Sequence, residues 1–146
     1  MARFTCSRRQ FVVLSAGAAA GAIVLAACGP GTGPGAGADT TAGTTSDLKV
    51  GAARVSSDSS AVVMRDAGGL YAMSLTCTHS GCNMSDGVSA QSIHCSCHGS
   101  TFDLAGSVLN GPAQQALPHY AVTVDASGTI TVHTDQTVAS DVRTAV

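Results

Sequence analysis

The segments CTHSGC at residues 77–82 and CSCHGS at residues 95–100 contain four of the six cysteines in this 146-residue chain. Each segment offers one cysteine and one histidine spaced two or three positions apart, together with one further cysteine. Two such Cys/His pairs are what a two-iron cluster held by two thiolates and two imidazoles requires. The segments therefore predict a [2Fe-2S] cluster and an electron carrier.

Mixed ligation changes the redox chemistry of such a cluster. Two sulfide-bridged ferric ions form a doubly positive core, which two thiolates neutralise, whereas four thiolates leave a doubly negative site that is harder to reduce. The midpoint potential therefore rises to about −150 to +300 mV, against about −400 mV for plant-type ferredoxins. Each imidazole also keeps a free ring nitrogen whose basicity follows the oxidation state of the iron, so electron and proton uptake can be coupled.

Further motifs follow the second segment. Phe102-Asp103, Gly106 and Gly111-Pro112-Ala113 complete a pattern that closely resembles Rieske iron-sulfur proteins, over about residues 70–120. Such proteins occur in cytochrome bc complexes and as small exported carriers. The resemblance implies an all-β protein: a small antiparallel Rieske fold with a cluster-binding loop insertion and one [2Fe-2S] cluster per chain.

The resemblance also assigns six side chains of the two segments. Two thiolates would bind one iron, two imidazoles would bind the other, and the remaining cysteines would form a disulfide between the segments. In this sequence these are Cys77 and Cys95 for the first iron, His79 and His98 for the second, and Cys82 with Cys97 for the disulfide.

Two plainer interpretations of the same residues stay open. A Cys2His2 set can bind one zinc ion, although zinc fingers typically pair like with like. Four cysteines can also form two structural disulfides in a small exported domain, which leaves the two histidines unexplained. The histidines His94, His119 and His133 have no partner pattern and are expected to be ordinary surface or strand residues.

The N-terminal segment, residues 1–27, is typical of an export signal. Ser7-Arg8-Arg9-Gln10-Phe11-Val12 resembles a twin-arginine motif, and an apolar stretch follows it to Ala27. Leu25-Ala26-Ala27-Cys28 resembles a bacterial lipobox, which implies cleavage before Cys28 and a lipid anchor on its thiol; an inert thiol and an uncleaved helical anchor are the alternatives. Each places the domain on the outer face of the cytoplasmic membrane.

Residues 28–46 are rich in glycine and threonine and contain no large apolar side chain, so they are expected to form a flexible tether with a reach of about 23 Å. The remaining residues, 47–146, are enough for one small domain. Its four basic residues and eight aspartates give a net charge of 4 − 8 = −4, which does not suit nucleic acid.

Two hairpins are expected in this domain. Ala61–Arg65 and Leu70–Leu75 flank Asp66-Ala-Gly-Gly69, and Tyr120–Val124 and Thr129–His133 flank Asp125-Ala-Ser-Gly128. A short strand at Ser92–His94 would lead into the second segment. The tail after Asp135 lacks apolar periodicity and is expected to pack loosely.

Two positions bear on cluster tuning. In high-potential Rieske proteins a serine and a tyrosine after the second ligand histidine donate hydrogen bonds to cluster sulfurs, and the corresponding residues here are Ser100 and Phe102. A phenylalanine has no donor, so a lower potential is expected. Ser80 stands where the bc-type subunits commonly have leucine, which weakens the case for quinol docking.

The expected function is an exported, membrane-tethered one-electron carrier, with no catalytic site of its own. The leading role is the iron-sulfur subunit of a cytochrome bc complex, with cytochromes and a quinol as redox partners. A stand-alone carrier or the small subunit of a molybdenum oxidoreductase of the arsenite oxidase kind is the alternative, and a zinc interaction module a remote one. Only 33 residues follow Ala113, too few for the mononuclear iron domain of a Rieske oxygenase.

Overall fold

The computed structural model describes residues 39–146. The predicted signal residues Arg8 and Arg9 and the predicted anchor Cys28 lie outside the described residues. Within the described part, no helix is long and apolar enough to cross a membrane. The strands are β1 Thr40–Thr44, β2 Ala53–Val55, β3 Ala61–Asp66, β4 Gly69–Ser74, β5 Ile93–His94, β6 Thr101–Phe102, β7 Val108–Asn110, β8 His119–Val124 and β9 Thr129–Val138.

All strand pairs are antiparallel and fall into two sheets. The larger sheet has six strands in the order β1-β9-β8-β4-β3-β2, and the smaller has three in the order β5-β6-β7. The smaller sheet is inserted in the chain between β4 and β8, and a single 3₁₀ turn, Ser85–Gly87, precedes it. This confirms the predicted all-β antiparallel fold with an insertion that contains both cysteine segments.

Both predicted hairpins are confirmed. Strands β3 and β4 pair from Ala61↔Ser74 to Asp66↔Gly69, which leaves a two-residue turn whose Gly68 N–H donates to the Asp66 carboxylate. Strands β8 and β9 are joined by a turn in which Asp125 accepts the N–H groups of Ser127 and Thr129. In both cases an aspartate at the start of the turn satisfies backbone donors that the strands leave unpaired.

The predicted tether boundary differs from the structure. Residues Thr40–Thr44, assigned to the tether at 28–46, form edge strand β1, which pairs with β9. Thr40 and Ala42 are buried there, and the Thr40 hydroxyl donates to Asp58. Compositional reasoning failed because an edge strand is held by backbone hydrogen bonds and needs only small side chains on its inner face. The ordered domain therefore includes residues before 47, while 28–38 lie outside the described residues.

The expectation of a loosely packed tail is wrong. Strand β9 continues to Val138, and the chain then returns so that Leu70 and Thr144 exchange two backbone hydrogen bonds of 2.8 Å. Arg143 donates to the Asp66 carboxylate at 2.7 Å and lies over the Tyr71 ring, 4.0 Å from its centroid. These contacts come from polar and cationic groups, which an apolar periodicity cannot reveal.

Buried residues form two hydrophobic clusters. The first, the sheet core, lies within the six-stranded sheet and comprises Ala42, Leu48, Ala61, Val63, Leu70, Ala72, Val122, Ile130 and Val132. The second, the loop core, packs beneath the cysteine segments and comprises Val62, Met64, Met73, Leu75, Cys77, Met84, Ile93, Cys95, Phe102, Ala113 and Leu117. Successive residues of β3 contribute to opposite clusters, as expected for a strand with both faces covered. The loop core thus connects the metal segments to the sheet.

Candidate metal centre

The two cysteine segments adopt the same local hydrogen-bonding pattern. In each, the N–H of the first cysteine donates to the carbonyl five residues later, and its carbonyl accepts the N–H of the glycine four residues later. Those glycines, Gly81 and Gly99, have φ of 76° and 79°, a left-handed conformation that favours glycine. The segments are therefore two tight loops that begin at Cys77 and Cys95, the latter directly after β5.

Cys77 and Cys95 are free, buried thiols, 3% and 1% exposed. Burial raises the pKa of the Cys77 thiol, but the backbone N–H groups of His79 and Ser80 and the side chains of Cys95 and Ser100 outweigh it, so the pKa lies below its ordinary value. Hydrogen-bond donors stabilise a thiolate, the form that binds metal. The structure therefore offers two buried sulfur ligands whose side chains lie next to each other.

The histidines of the two loops lie side by side on the surface. The His79 and His98 ring centroids are 4.8 Å apart with an interplanar angle of 84°, and both side chains are exposed. The Ser80 hydroxyl lies 3.1 Å from Nδ1 of His79. Buried thiols below and exposed imidazoles above form a donor set that suits a two-iron group with one inner and one outer iron.

A disulfide joins the loops. Cys82 and Cys97 are bonded to each other, with Cα atoms 6.6 Å apart, in the pairing that the resemblance implies. Among the described residues, the sulfur atoms of Cys82, Cys95 and Cys97 form a group within 4.8 Å of one another. Two of these sulfurs belong to the disulfide and cannot serve as thiolates. A zinc site built from three cysteines is therefore not available here.

Ser100 is fully buried beside the thiols. Its hydroxyl oxygen accepts the N–H of Ala113 at 3.2 Å, and its side chain hydrogen-bonds the Cys77 thiol. This hydrogen bond lowers the pKa of the Cys77 thiol, as expected when the hydroxyl donates to the sulfur. A donor to a ligand sulfur stabilises the more negative, reduced state of a metal group.

Phe102 is fully buried in the loop core and lies in strand β6, where it pairs with Ile93 on one side and Val108 on the other. Its ring packs against apolar neighbours and offers no hydrogen-bond donor. Phe102 therefore contributes only packing to the site, whereas Ser100 contributes a hydroxyl that hydrogen-bonds a ligand sulfur.

A third loop, which follows β7, covers the other two. Gly111 has a φ of 99°, and a Cβ atom there would lie 2.5 Å from Cα of Ser100, so the loop approaches the second segment at backbone distance. The Thr78 hydroxyl donates to the carbonyl of Gln115 at 2.6 Å. Sequence analysis missed this last contact because it joins residues 37 positions apart. Beside it lies a shallow pocket of about 270 Å³, lined by Thr78, His79, Pro112, Gln114 and Gln115.

The three remaining histidines lie in strands, outside this site. His94 is exposed in β5 and contacts the Thr101 hydroxyl. His119 is buried at the start of β8, with Nε2 3.0 Å from the carbonyl of Ala105. His133 in β9 lies between Asp39 and Thr123. Each is satisfied by a local partner.

Comparison with known proteins agrees with this geometry. The Rieske [2Fe-2S] domain family matches residues 39–121, more than half of the chain and including β1. The chain belongs to this family. Its cofactor is a [2Fe-2S] cluster, which supplies one-electron redox chemistry when bound. Within this Rieske domain, the buried thiols Cys77 and Cys95 and the exposed imidazoles of His79 and His98 fit that group and would hold it.

Similar proteins include two iron-sulfur subunits of cytochrome b6-f complexes. The one from Chlorobaculum tepidum is 32% identical over 57% of this chain and 47% of its own length. The one from Synechococcus elongatus is 42% identical over 39% of this chain and 33% of its own length. The plasma membrane Rieske protein of Synechocystis PCC 6803 is 33% identical over 63% of this chain and 96% of that structure, with a TM-score of 0.48.

The matched part of this chain thus spans half or less of the length of these two curated relatives. What the two share with it is the Rieske domain. The chain is accordingly a Rieske electron carrier related to cytochrome b6-f iron-sulfur subunits.

Proposed function

We propose that this chain is an exported, membrane-tethered Rieske protein that serves as the iron-sulfur subunit of a cytochrome bc-type quinol-oxidising complex. The observation that carries the proposal is the pair of exposed imidazoles, 4.8 Å apart, above two buried thiols. Such an arrangement gives a partner direct access to the outer iron ligands. The likeness to cytochrome b6-f subunits supports the choice of complex.

In this proposal Cys77 and Cys95 bind the inner iron, and His79 and His98 bind the outer one. The disulfide between Cys82 and Cys97 keeps the two loops together, and Ser100 supports the Cys77 sulfur. A quinol would approach the imidazole edge, where a ring nitrogen accepts its proton as an electron leaves it. The twin-arginine residues Arg8 and Arg9 and the lipobox Cys28 would direct the protein to the outer face of the cytoplasmic membrane and anchor it there.

A stand-alone carrier is the second candidate, favoured by the site itself. Phe102 offers no donor to the cluster, and the small, polar Ser80 leaves the His79 edge open to water. Both features suit a lower potential and a looser interface than quinol oxidation requires. The carrier would then exchange electrons with another membrane or molybdenum oxidoreductase.

A membrane preparation from the native host distinguishes the two roles. The full-length protein, carrying a C-terminal tag, is solubilised in mild detergent, purified, and assayed for iron, acid-labile sulfide and bound b-type haem. Co-purification with b-type haem and reduction of the cluster by quinol support the complex. A red holoprotein without haem that quinol does not reduce supports the stand-alone carrier. A colourless protein, or one with one zinc per chain, contradicts both.

A further inference from the structure

The exposed surface around the histidines is formed by residues 76–83, 95–100 and 109–116, which we name the cluster face. These three loops are held together by the disulfide, by the Thr78–Gln115 hydrogen bond and by the close approach of Gly111 to Ser100. They contain no lysine, arginine, aspartate or glutamate. Residues 39–146 nevertheless carry four basic residues and nine aspartates, a formal charge of 4 − 9 = −5.

Many of these charges lie at the opposite end of the domain. Strand β4 runs toward Cys77, so the β3–β4 turn is about 20 Å from the loops at the usual rise per strand residue. Strand β8 begins beside Met73 and runs the other way, which places the β8–β9 turn at that far end as well. Backbone hydrogen bonds bring residues 45 and 51 to these turns. The charged residues located there are Lys49, Arg65, Arg143, Asp47, Asp66 and Asp125.

The aspartates nearest the cluster face are Asp103 and Asp86, which flank it in sequence, and Asp58, whose neighbour Ser59 accepts a hydrogen bond from the Asn83 side chain of the face at 2.7 Å. Asp103 accepts the N–H groups of Ala105 and Ser107 within its own turn. Asp86 is exposed in the 3₁₀ turn, four residues after Cys82. The Asp58 carboxylate accepts hydrogen bonds from the hydroxyls of Thr40, Ser56 and Ser60. None of the three aspartates belongs to the three loops.

One of the exposed large apolar residues of the domain lies on the cluster face. Leu109 is 60% exposed in edge strand β7, immediately before the loop that approaches Ser100. The cluster face thus presents uncharged groups: two imidazoles, glutamine amides, glycine backbone and one exposed leucine. A strongly charged partner surface placed against it would lose hydration without gaining an ion pair.

We infer that the cluster face docks a redox protein whose own docking surface is uncharged, and that association is not steered by charge. This inference rests on the proposed function as an electron carrier. A strongly basic or acidic partner, attracted or repelled by the net charge of the domain, would instead show rates that depend steeply on salt.

Stopped-flow reduction of the oxidised full-length holoprotein in nonionic detergent tests the inference. The probes are hexaammineruthenium(II), a dication, and ascorbate, an anion, each at fixed pH and at ionic strengths from 50 to 500 mM. An uncharged cluster face gives rate constants that change less than about twofold for both probes. If a charge near −5 governs the encounter, the dication rate falls about tenfold and the anion rate rises, which overturns the inference.

Two isosteric variants sharpen the test. Gln114→Glu adds one charge to the exposed cluster face and should make reduction by the dication fall with salt. Gln91→Glu adds the same charge to an exposed turn whose neighbours, Ser89 and Ala90, share a pocket with Arg65 and Asp66. Gln91→Glu should leave the salt dependence of the reduction rate unchanged. If both variants change the salt dependence equally, the rate is not governed by the local charge of the cluster face, which contradicts the inference.

A protein probe completes the experiment. Oxidation of the reduced holoprotein by cytochrome c, a basic protein, should vary less than about twofold over the same salt range. A rate that falls tenfold shows charge-steered docking and overturns the inference. Failure of dithionite, a strong reductant, to bleach the visible absorption of the holoprotein, or failure of cytochrome c to restore it, instead refutes the proposed electron carrier, so the two failures are distinguishable.

Discussion

The six-stranded sheet and the metal-binding insertion are built in different ways. The sheet has strands of up to ten residues, and its core consists of ordinary aliphatic side chains. The insertion has strands of two or three residues, and its loop core includes two free thiols. Short strands bury little surface, so the insertion depends on a disulfide, on close backbone contacts and on its metal group. The sheet, by contrast, has the architecture of a self-sufficient scaffold.

Because of this difference, we expect the sheet to determine the stability of the fold and the insertion to determine how the cluster is held. Substitutions in the sheet should change the free energy of unfolding and leave the potential of the cluster unchanged. Substitutions in the insertion should affect cluster retention first.

Replacing both Cys82 and Cys97 with serine should have the largest effect. A disulfide closing a loop of fifteen residues stabilises a fold by about 3 kcal/mol, and here the whole of that effect falls on the insertion. We expect loss of the cluster with retention of the sheet. Amide hydrogen exchange should accelerate at Ile93–Phe102 while the amides of Ala61–Ser74 stay protected.

The same variants in cluster-free protein provide the control. If the disulfide acts on the insertion itself, exchange at Ile93–Phe102 is faster than in cluster-free wild type as well. Equal loss of protection in β3 and β4 would show that sheet and insertion unfold together, which would contradict the separation.

Gly111→Ala should have the next largest effect. Its φ is 99°, and a methyl group would lie 2.5 Å from Cα of Ser100 and 2.8 Å from the carbonyl oxygen of Gly99, so the third loop must move away. We expect a loss of about 2–3 kcal/mol and faster release of iron, measured by urea unfolding and by bleaching of the visible absorption. Gly51→Ala is the matched control, because φ is 83° but nothing lies within 4 Å. It should cost about 1 kcal/mol and leave iron release unchanged.

In the sheet, the elements that could be predicted from the sequence are those marked by turn residues close to them along the chain. Both hairpins could be predicted because aspartate and glycine turns separate β-rich runs, and the turn aspartates hydrogen-bond their own backbone. Strand β1 and the tail could not be predicted. Their positions depend on pairing with residues far along the chain, such as Thr40 with Val132 and Leu70 with Thr144, and their own composition is that of a linker.

For the metal centre, the resemblance of the two motifs to Rieske proteins implied the roles of their cysteines and histidines, and the structure bonds Cys82 to Cys97 and places His79 beside His98. The surroundings were harder to foresee. The bond from Thr78 to Gln115 and the backbone approach of Gly111 arise only when three separate loops meet. Nor does composition reveal that many charges of an acidic domain lie at the end of the sheet away from the cluster face.

The Asp58 carboxylate lies in the turn before β3 and accepts a hydrogen bond from Thr40 of β1. It should make the stability of the sheet depend on pH. Burial raises the pKa of this carboxyl, but hydrogen bonds from the Ser60 N–H and from the hydroxyls of Ser56, Ser60 and Thr40 outweigh it and hold the pKa well below its ordinary value. A lowered pKa in the folded state stabilises the fold above the ordinary value of 3.8, and this contribution is lost as the pH falls.

Asp58→Asn should therefore cost about 1 kcal/mol at pH 6, measured by urea unfolding, and the difference from wild type should shrink at pH 3. Asp135→Asn, at an exposed position in β9, should show no such change with pH. A gap that stays constant between the two pH values would mean that the carboxylate charge is not what holds β1. The midpoint potential of the cluster should be unaffected.

The smallest effect is expected at Phe102, where the loop core adjoins the cluster. Phe102→Tyr adds a hydroxyl to a fully buried side chain, and a buried hydroxyl without a partner destabilises a fold by about 1–3 kcal/mol. If the hydroxyl reaches a cluster sulfur, it is satisfied there and stabilises the reduced state. We then expect the midpoint potential to rise by about 40 mV, equivalent to about 1 kcal/mol, with unfolding little changed. Phe102→Leu, which adds no donor, controls for repacking. A less stable Tyr variant with an unaltered potential would show that position 102 belongs to the packing of the insertion and not to the tuning of its metal.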